Sequence, residues 1–387
     1  IPPDAFANFA LTTLCDPVAV FENVNVDEVS ALDRQRGVKW SGYATPCGRA
    51  VYMKNNNLKE AVRQGIPAGR RAAVHIDVVG VHEEIESGKC KAHFDNTLRN
   101  IFHLKEGAQL PKRFEPRFTP HFEGNLATAN VQYGLNSDGM RSLKLVMCAL
   151  ADLHQDVISC PLAVPLVSLM LQYMPTIDAF ACVDAMIKSS RHKNIAGRLY
   201  FLRISQYEHV AQAVVAAELV KRRFPRIAAI FQELGISLGS TLLDTINVFF
   251  TNVLPPPFVW RILDSFFNEG HKVIIRFCLA LIKHLEVRIF NCETSFELIN
   301  LFSAADVKNG CKHTINPQQF QHMLGFAFNL SLARQEVDLL EEHCLDATEE
   351  LLCSTYSPDN FSVALRKRPT VEPPLVLPAE AALEPLF

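Results

Sequence analysis

Residues 135–187 read LNSDGMRSLKLVMCALADLHQDVISCPLAVPLVSLMLQYMPTIDAFACVDAMI, and their periodicity decides the fold. Met140, Leu143, Met147 and Leu150 recur at three- and four-residue spacing, which puts them on one face of a helix. Asn136 or Ser137 can cap its start, because a short polar side chain there accepts the free amide hydrogens of the first turn. Asp156 and Pro161 break the pattern before a second apolar run over 162–174. Pro175-Thr176 breaks it again, and 177–187 forms a third segment with Ala179, Cys182, Val183 and Met186 facing inward. Three helices joined by two tight connections are expected to pack as a core.

Two other stretches carry recognisable order. Residues 58–80 contain Arg63, Gly65, Ile66, Pro67 and Arg71. Gly65 can end one helix and Pro67 suits the first turn of the next. Residues 254–290 read LPPPFVWRILDSFFNEGHKVIIRFCLALIKHLEVRIF. Here Pro257 can start a helix that Gly270 stops, with Val259, Leu263, Phe266 and Phe267 inward. On the following helix Ile274, Phe277, Leu281 and Leu285 face in, while Lys272, Arg276 and Lys283 share the opposite face.

Together these stretches resemble a TBC domain, the all-helical fold of proteins that activate Rab-type small GTPases. The cadence LHQDVISCP followed by AFACV is most similar to the Skywalker branch, which pairs a TBC domain with a TLDc domain. The family's opening signature, Arg-x-Gly-Ile-Pro, is matched at 63–67, with Arg71 following and His75 where the family has a tryptophan. Leu254-Pro255, Asp264, Phe267, Glu269, Gly270, Lys272 and Val273 match its later signature. The resemblance covers residues 58–345 and implies an all-α, TBC-like multi-helix domain with extended terminal arms at 1–57 and 346–387. About 40 residues follow the domain, too few for a TLDc domain.

The resemblance also implies where catalysis would sit. Active members use a Tyr-x-Gln motif, whose glutamine orients the attacking water, and an Ile-x-x-Asp-x-x-Arg motif, whose arginine reaches the GTP phosphates. The aligned residues here are Ser159-Cys160-Pro161 and, near the second motif, Leu126 and Ala129. A proline side chain neither donates nor accepts a hydrogen bond, so it cannot position water. Arg113 and Arg117 are candidate displaced fingers, but neither has an aspartate three residues before it.

Composition narrows the alternatives. With 387 residues, 49% hydrophobic and 20% charged, the chain is long enough for a sizeable core and too apolar for disorder. A net charge near -3 argues against nucleic acid as partner. The eleven cysteines show no Cys-x-x-Cys and read as buried, reduced thiols. The thirteen histidines show no His-x-x-x-His, and no phosphate-binding glycine loop occurs, so no metal or cofactor is expected. Residues 157–174 contain Pro161, Pro165 and Gln172 and read as a buried helix, not a membrane span.

Further helices are expected over 89–104, 207–223, 316–329 and 331–344, with 110–130 a loop carrying Lys112, Arg113 and Arg117. In 1–57, prolines and glycines punctuate scattered apolar residues, which reads as an arm lying on the domain or on a partner. The prolines between 369 and 378 favour an extended tail.

Three functions follow as expectations. The first is a catalytically inactive TBC-like domain, not an enzyme, serving as a structural or interaction subunit that meets other subunits through its arms. The second is a Rab-type GTPase activator with displaced catalytic residues. The third is a phosphoinositide-binding traffic adaptor, with Lys59, Arg63, Arg261 and Arg276 as candidate phosphate-binding residues. Ordinary exposed charge and ion pairs, including Arg261 with Asp264, are the structural alternative for those four. The expected location is cytoplasmic or cytoskeletal, or mitochondrial if Ile1 is a processed N-terminus.

Overall fold

The computed structural model describes residues 6, 8–22, 24–43, 56–105, 108–110, 132–157, 159–191, 202–303 and 315–355. Among these there are eighteen α-helices and no strand, with one isolated bridge between Cys15 and Leu135.

The central stretch forms helices α7 (Ser137–Leu153), α8 (Ala163–Leu171) and α9 (Thr176–Ser190). Asn136 caps α7, its Oδ1 accepting from the amides of Asp138 and Gly139 at 3.1 and 3.0 Å. Every residue of α8 is buried, as expected of a helix that is apolar all round except for Ser168, whose Oγ donates to the Val164 carbonyl at 2.8 Å. Helix α7 packs on α8, and α8 on α9; α6 (Lys89–Ile101) closes the group against α7 and α9. No described helix is long and apolar enough to cross a membrane.

The second half is organised by α10 (Gln206–Arg223), whose residues are almost all buried. It packs on α12 (Leu238–Asn247), α14 (Lys272–Phe290) and the C-terminal helix α18 (Leu345–Thr355). Between α10 and α12 lies α11 (Pro225–Glu233), which starts at the proline that prevents α10 from continuing. Helix α13 (Pro256–Glu269) joins the halves by packing on α3 (Asn56–Gln64), α4 (Ala68–Val79) and α14. Helix α16 (Pro317–Asn329) begins with a capping box in which Asn316 and Gln319 satisfy each other's amides.

The N-terminal arm differs from its expected extended form. It contains α2 (Val26–Trp40), capped by Asn25, and it lies on this domain. Phe6, Phe9 and Phe21 are buried together, and Phe21 meets Trp260 edge-on at 5.8 Å. Leu14 passes so close to the start of α7 that a Cβ on Gly139 would stand 2.0 Å from its carbonyl oxygen. Sequence periodicity does not reveal α2 because only Val26, Val29, Ser30 and Trp40 are buried along its 15 residues. The C-terminal boundary also moves: α18 carries helical structure to Thr355, ten residues past the expected end. Residues 356–387 and the loop 111–131, with Arg113, Arg117, Leu126 and Ala129, lie outside the described residues.

Candidate functional site

The Arg63–Pro67 signature is the junction between α3 and α4. Gly65 takes φ +118°, and its amide closes α3 onto the carbonyls of Ala61 and Val62. A side chain there is excluded twice over, by that φ and by Arg261 Nη1, which would lie 1.9 Å from a Cβ. Arg261 donates to the carbonyl oxygens of Gln64 at 3.0 Å and Arg63 at 2.8 Å, so a guanidinium caps the C-terminus of α3. The expected Arg261–Asp264 ion pair does not form, because Arg261 points to the carbonyls and Asp264 faces Arg71. Burial, and then Arg36 on α2, push the pKa of Arg261 well down.

Behind this junction lies a buried polar group. Arg71 Nε donates to Asp264 Oδ1 at 2.9 Å, and His75 Nε2 meets the same oxygen at 3.1 Å. The Asp264 carboxylate can only accept, so Nε2 carries the proton, and Tyr173 Oη, 3.0 Å from His75 Nδ1, donates to the neutral ring. The guanidinium of Arg71 also stacks over Trp260, 5.1 Å from its ring centroid. Burial opposes the charge on Asp264, but Arg71 and His75 more than offset it and hold the carboxyl below its usual range. His75 replaces the family's tryptophan while keeping a flat ring, stacked on Phe267 at 4.2 Å.

On the outer side, three of the four candidate phosphate-binding residues converge. Arg63 donates two bonds of 2.6 Å to the carboxylate of Glu269. Arg276 reaches the same group at 3.0 Å and Lys59 at 3.6 Å. Burial raises the pKa of Glu269, and Arg63, Lys59 and Arg276 together bring it below its ordinary value. Three cations thus surround one carboxylate, leaving an excess of positive charge. Lys59 is 42% exposed, Arg63 24% and Arg276 9%. Arg261 does not join them; it is buried behind the end of α3, with the half-buried Arg36 beside it. In the sequence Glu269 belongs to the signature that ends a helix and nothing marks it as an ion-pair partner, yet its seven-residue spacing from Arg276 across Gly270 lets the next helix reach it.

The stretch aligned with the family's glutamine motif is the turn between α7 and α8. Ser159, Cys160 and Pro161 are all buried there. Burial pushes the Cys160 thiol up to about 12. The turn is anchored by His154, whose Nε2 lies 2.9 Å from Asp184 Oδ1, and by Arg191, which donates to His154 Nδ1 at 2.9 Å and Asp156 Oδ1 at 2.5 Å. No group of His, Cys, Asp and Glu suited to a metal ion occurs among the described residues.

Residues 124–290 match the family model of the Rab-GTPase-TBC domain. Human TBC1 domain family member 2B is 25% identical over 265 residues, which is 68% of this chain and 26% of that protein. The chain therefore matches only about a quarter of that relative's length. The TBC domain of Skywalker/TBC1D24 from Drosophila melanogaster superposes with a TM-score of 0.57 at 19% identity, covering 88% of this chain and 99% of that one. The same Drosophila domain in complex with inositol(1,4,5)triphosphate gives 0.54 at 20% identity, covering 81% and 98%. Residues 124–290 thus match the Rab-GTPase-TBC family model, and the described helices have the fold of the solved TBC domains.

The buried histidines set an expected pH response. Burial lowers the pKa of His75, and it lowers His209, beside Asn247, to about 4. Between the unfolded value near 6.5 and the folded value, the unfolded chain binds more protons, so stability must fall as pH falls. His209 alone accounts for a loss on the order of 3 kcal/mol from pH 6.5 to 4. The depressed carboxylates Asp264, Asp184 and Glu269 act in the other window. Their stabilisation is present above the unfolded values near 4 and is lost only below them. Urea midpoints should therefore begin to drop near pH 6.5, and His209→Gln should reduce the slope. A midpoint flat from pH 7 to 5 contradicts this assignment.

Proposed function

We propose that this TBC domain is a binding module that does not accelerate GTP hydrolysis and serves as a structural or interaction subunit of a larger assembly, in the cytoplasm or on the cytoskeleton. The observation that carries this reading is the buried Ser159-Cys160-Pro161 turn at the aligned glutamine position. It offers no side-chain amide to a water, and its burial leaves no room for one to be borrowed from the turn itself. The core around it is intact, which supports retention of the scaffold for binding. A Rab-type GTPase is one partner class such a module can hold without catalysis; another subunit met through the Pro-rich residues 369–387 is the other. Quantitative affinity capture with the full chain and with a variant lacking 369–387 tests the interaction role. Stoichiometric partners lost on deletion support it; an unchanged set removes the tail from it.

A second reading rests on the cluster of Lys59, Arg63 and Arg276 around Glu269. Excess guanidinium charge at a partly exposed site suits the oxygens of a phosphorylated headgroup. The related Drosophila domain is seen with inositol(1,4,5)triphosphate. If this chain binds such lipids, Arg63→Glu with Arg276→Glu should abolish flotation with phosphoinositide liposomes, and raised salt should weaken binding by the parent. Flotation that ignores headgroup, or survives both reversals, removes this reading.

A further inference from the structure

An open groove of about 750 Å³ runs between α10, α11, the start of α12 and α18. Val214, Ala217, Phe231, Ile236 and Leu351 wall it, and Cys344 lies along it. Its size is in the range of sites that hold a compact apolar ligand. The rim carries Glu218 and Glu350 against Lys221. Ser354, one residue before the end of α18, is part of the lining, so the chain leaves its last helix at the groove's edge.

We propose that the groove seats this chain's own residues 361–365, folded back from the end of α18. Four features converge on that occupant. Ser357-Pro358-Asp359-Asn360 has the residue pattern of a reversing turn: serine first, proline preset at the second position, aspartate and asparagine after it. Directly after it, Phe361, Val363 and Leu365 alternate with Ser362 and Ala364, which puts three apolar side chains on one face of an extended segment. The ten residues from Thr355 to Leu365 span up to ~33 Å, enough to turn and run back along α18. Arg366, Lys367 and Arg368 come next in the sequence, and their charge complements that of Glu218 and Glu350 on the rim. Seating this segment fixes the point at which the Pro-rich residues 369–387 emerge, so it is independent of what those residues bind.

Disulfide trapping in the full chain tests the placement. Cys353 is exposed and would compete, so it is replaced by serine. Val363→Cys lies on the inward face of the segment and Ser362→Cys on the outward face. Under a mild oxidant, Val363→Cys should bond to Cys344 within one chain about tenfold faster than Ser362→Cys, because seating raises its effective concentration. Ala228→Trp, which fills the groove, should erase the difference while circular dichroism stays helical. Equal rates for the two positions, or no bond to Cys344 from either, overturn the proposal. Bonds formed only between chains overturn it too, and identify the occupant as a second copy.

Discussion

Single-turnover GTP hydrolysis by a panel of Rab-type GTPases is expected to stay at its intrinsic rate in an excess of this protein. An arginine finger contributes on the order of 10³–10⁵-fold in this chemistry, by neutralising charge that develops on the transferred phosphoryl group, and the partner glutamine orients the water. On the resemblance set out above, Ala129 and Pro161 take the places of that arginine and glutamine, and neither side chain can do their work. On the proposed reading the GTPase's own glutamine can replace one element, whereas with both gone nothing supplied by the domain stabilises the transition state. Pro161→Gln alone should therefore not restore activity, since the resemblance puts Ala129 where the arginine belongs and the turn is buried. The outcome against this reading is a clear acceleration, beyond about tenfold, that disappears with Arg113→Ala or Arg117→Ala. That result would make one of those arginines a displaced finger and the protein an activator.

The helices that sequence periodicity could show are those with a broad apolar face and a chemical boundary. Helices α7 to α9 are bounded by Asn136, Pro161 and Pro175, and α13 by Pro256 and Gly270. Their ends are set by capping and by proline, which are local effects written in consecutive residues. Helix α2 escaped because its contact stripe is narrow, and α18 because its buried positions are only Thr348, Leu351 and Leu352. The site was half legible for a different reason. Arg63, Arg276 and Lys59 could be chosen as cations on helices, but their common partner Glu269 belongs to a different helix from all three. The fate of Arg261 depends on the arm: only when α2 is folded over the α3 end does Arg36 crowd it and burial remove it from the outer face. Arrangements of that kind follow from tertiary packing and leave no mark in local spacing.

Asp264→Ala should be the most destabilising single change in the domain, by about 3–5 kcal/mol, the range for stripping one partner from a buried ion pair. That is a large share of the roughly 5–15 kcal/mol that holds a domain together. The side chains involved have nowhere to turn: Arg71 is 3% exposed, His75 1% and Asp264 0%. Removing the carboxylate leaves the Arg71 guanidinium buried with only the carbonyl of Ile66 and the faces of Trp260 and Tyr173 to meet it. It also leaves the Nε2–H of His75 without its acceptor. Arg71→Met combined with Asp264→Leu removes both charges and should be less damaging than Asp264→Ala alone, because apolar side chains of similar volume carry no unpaired charge into the core. The damage should spread to the outer cluster, since Arg71 binds α4 to α13 and α13 carries Glu269, which gathers Arg63 and Arg276. Urea unfolding of the parent and the two variants decides the matter. A loss below about 1 kcal/mol for Asp264→Ala, or a double variant as unstable as the single one, would mean that the charged pair is not what ties the Arg63–Pro67 junction to the rest of the fold.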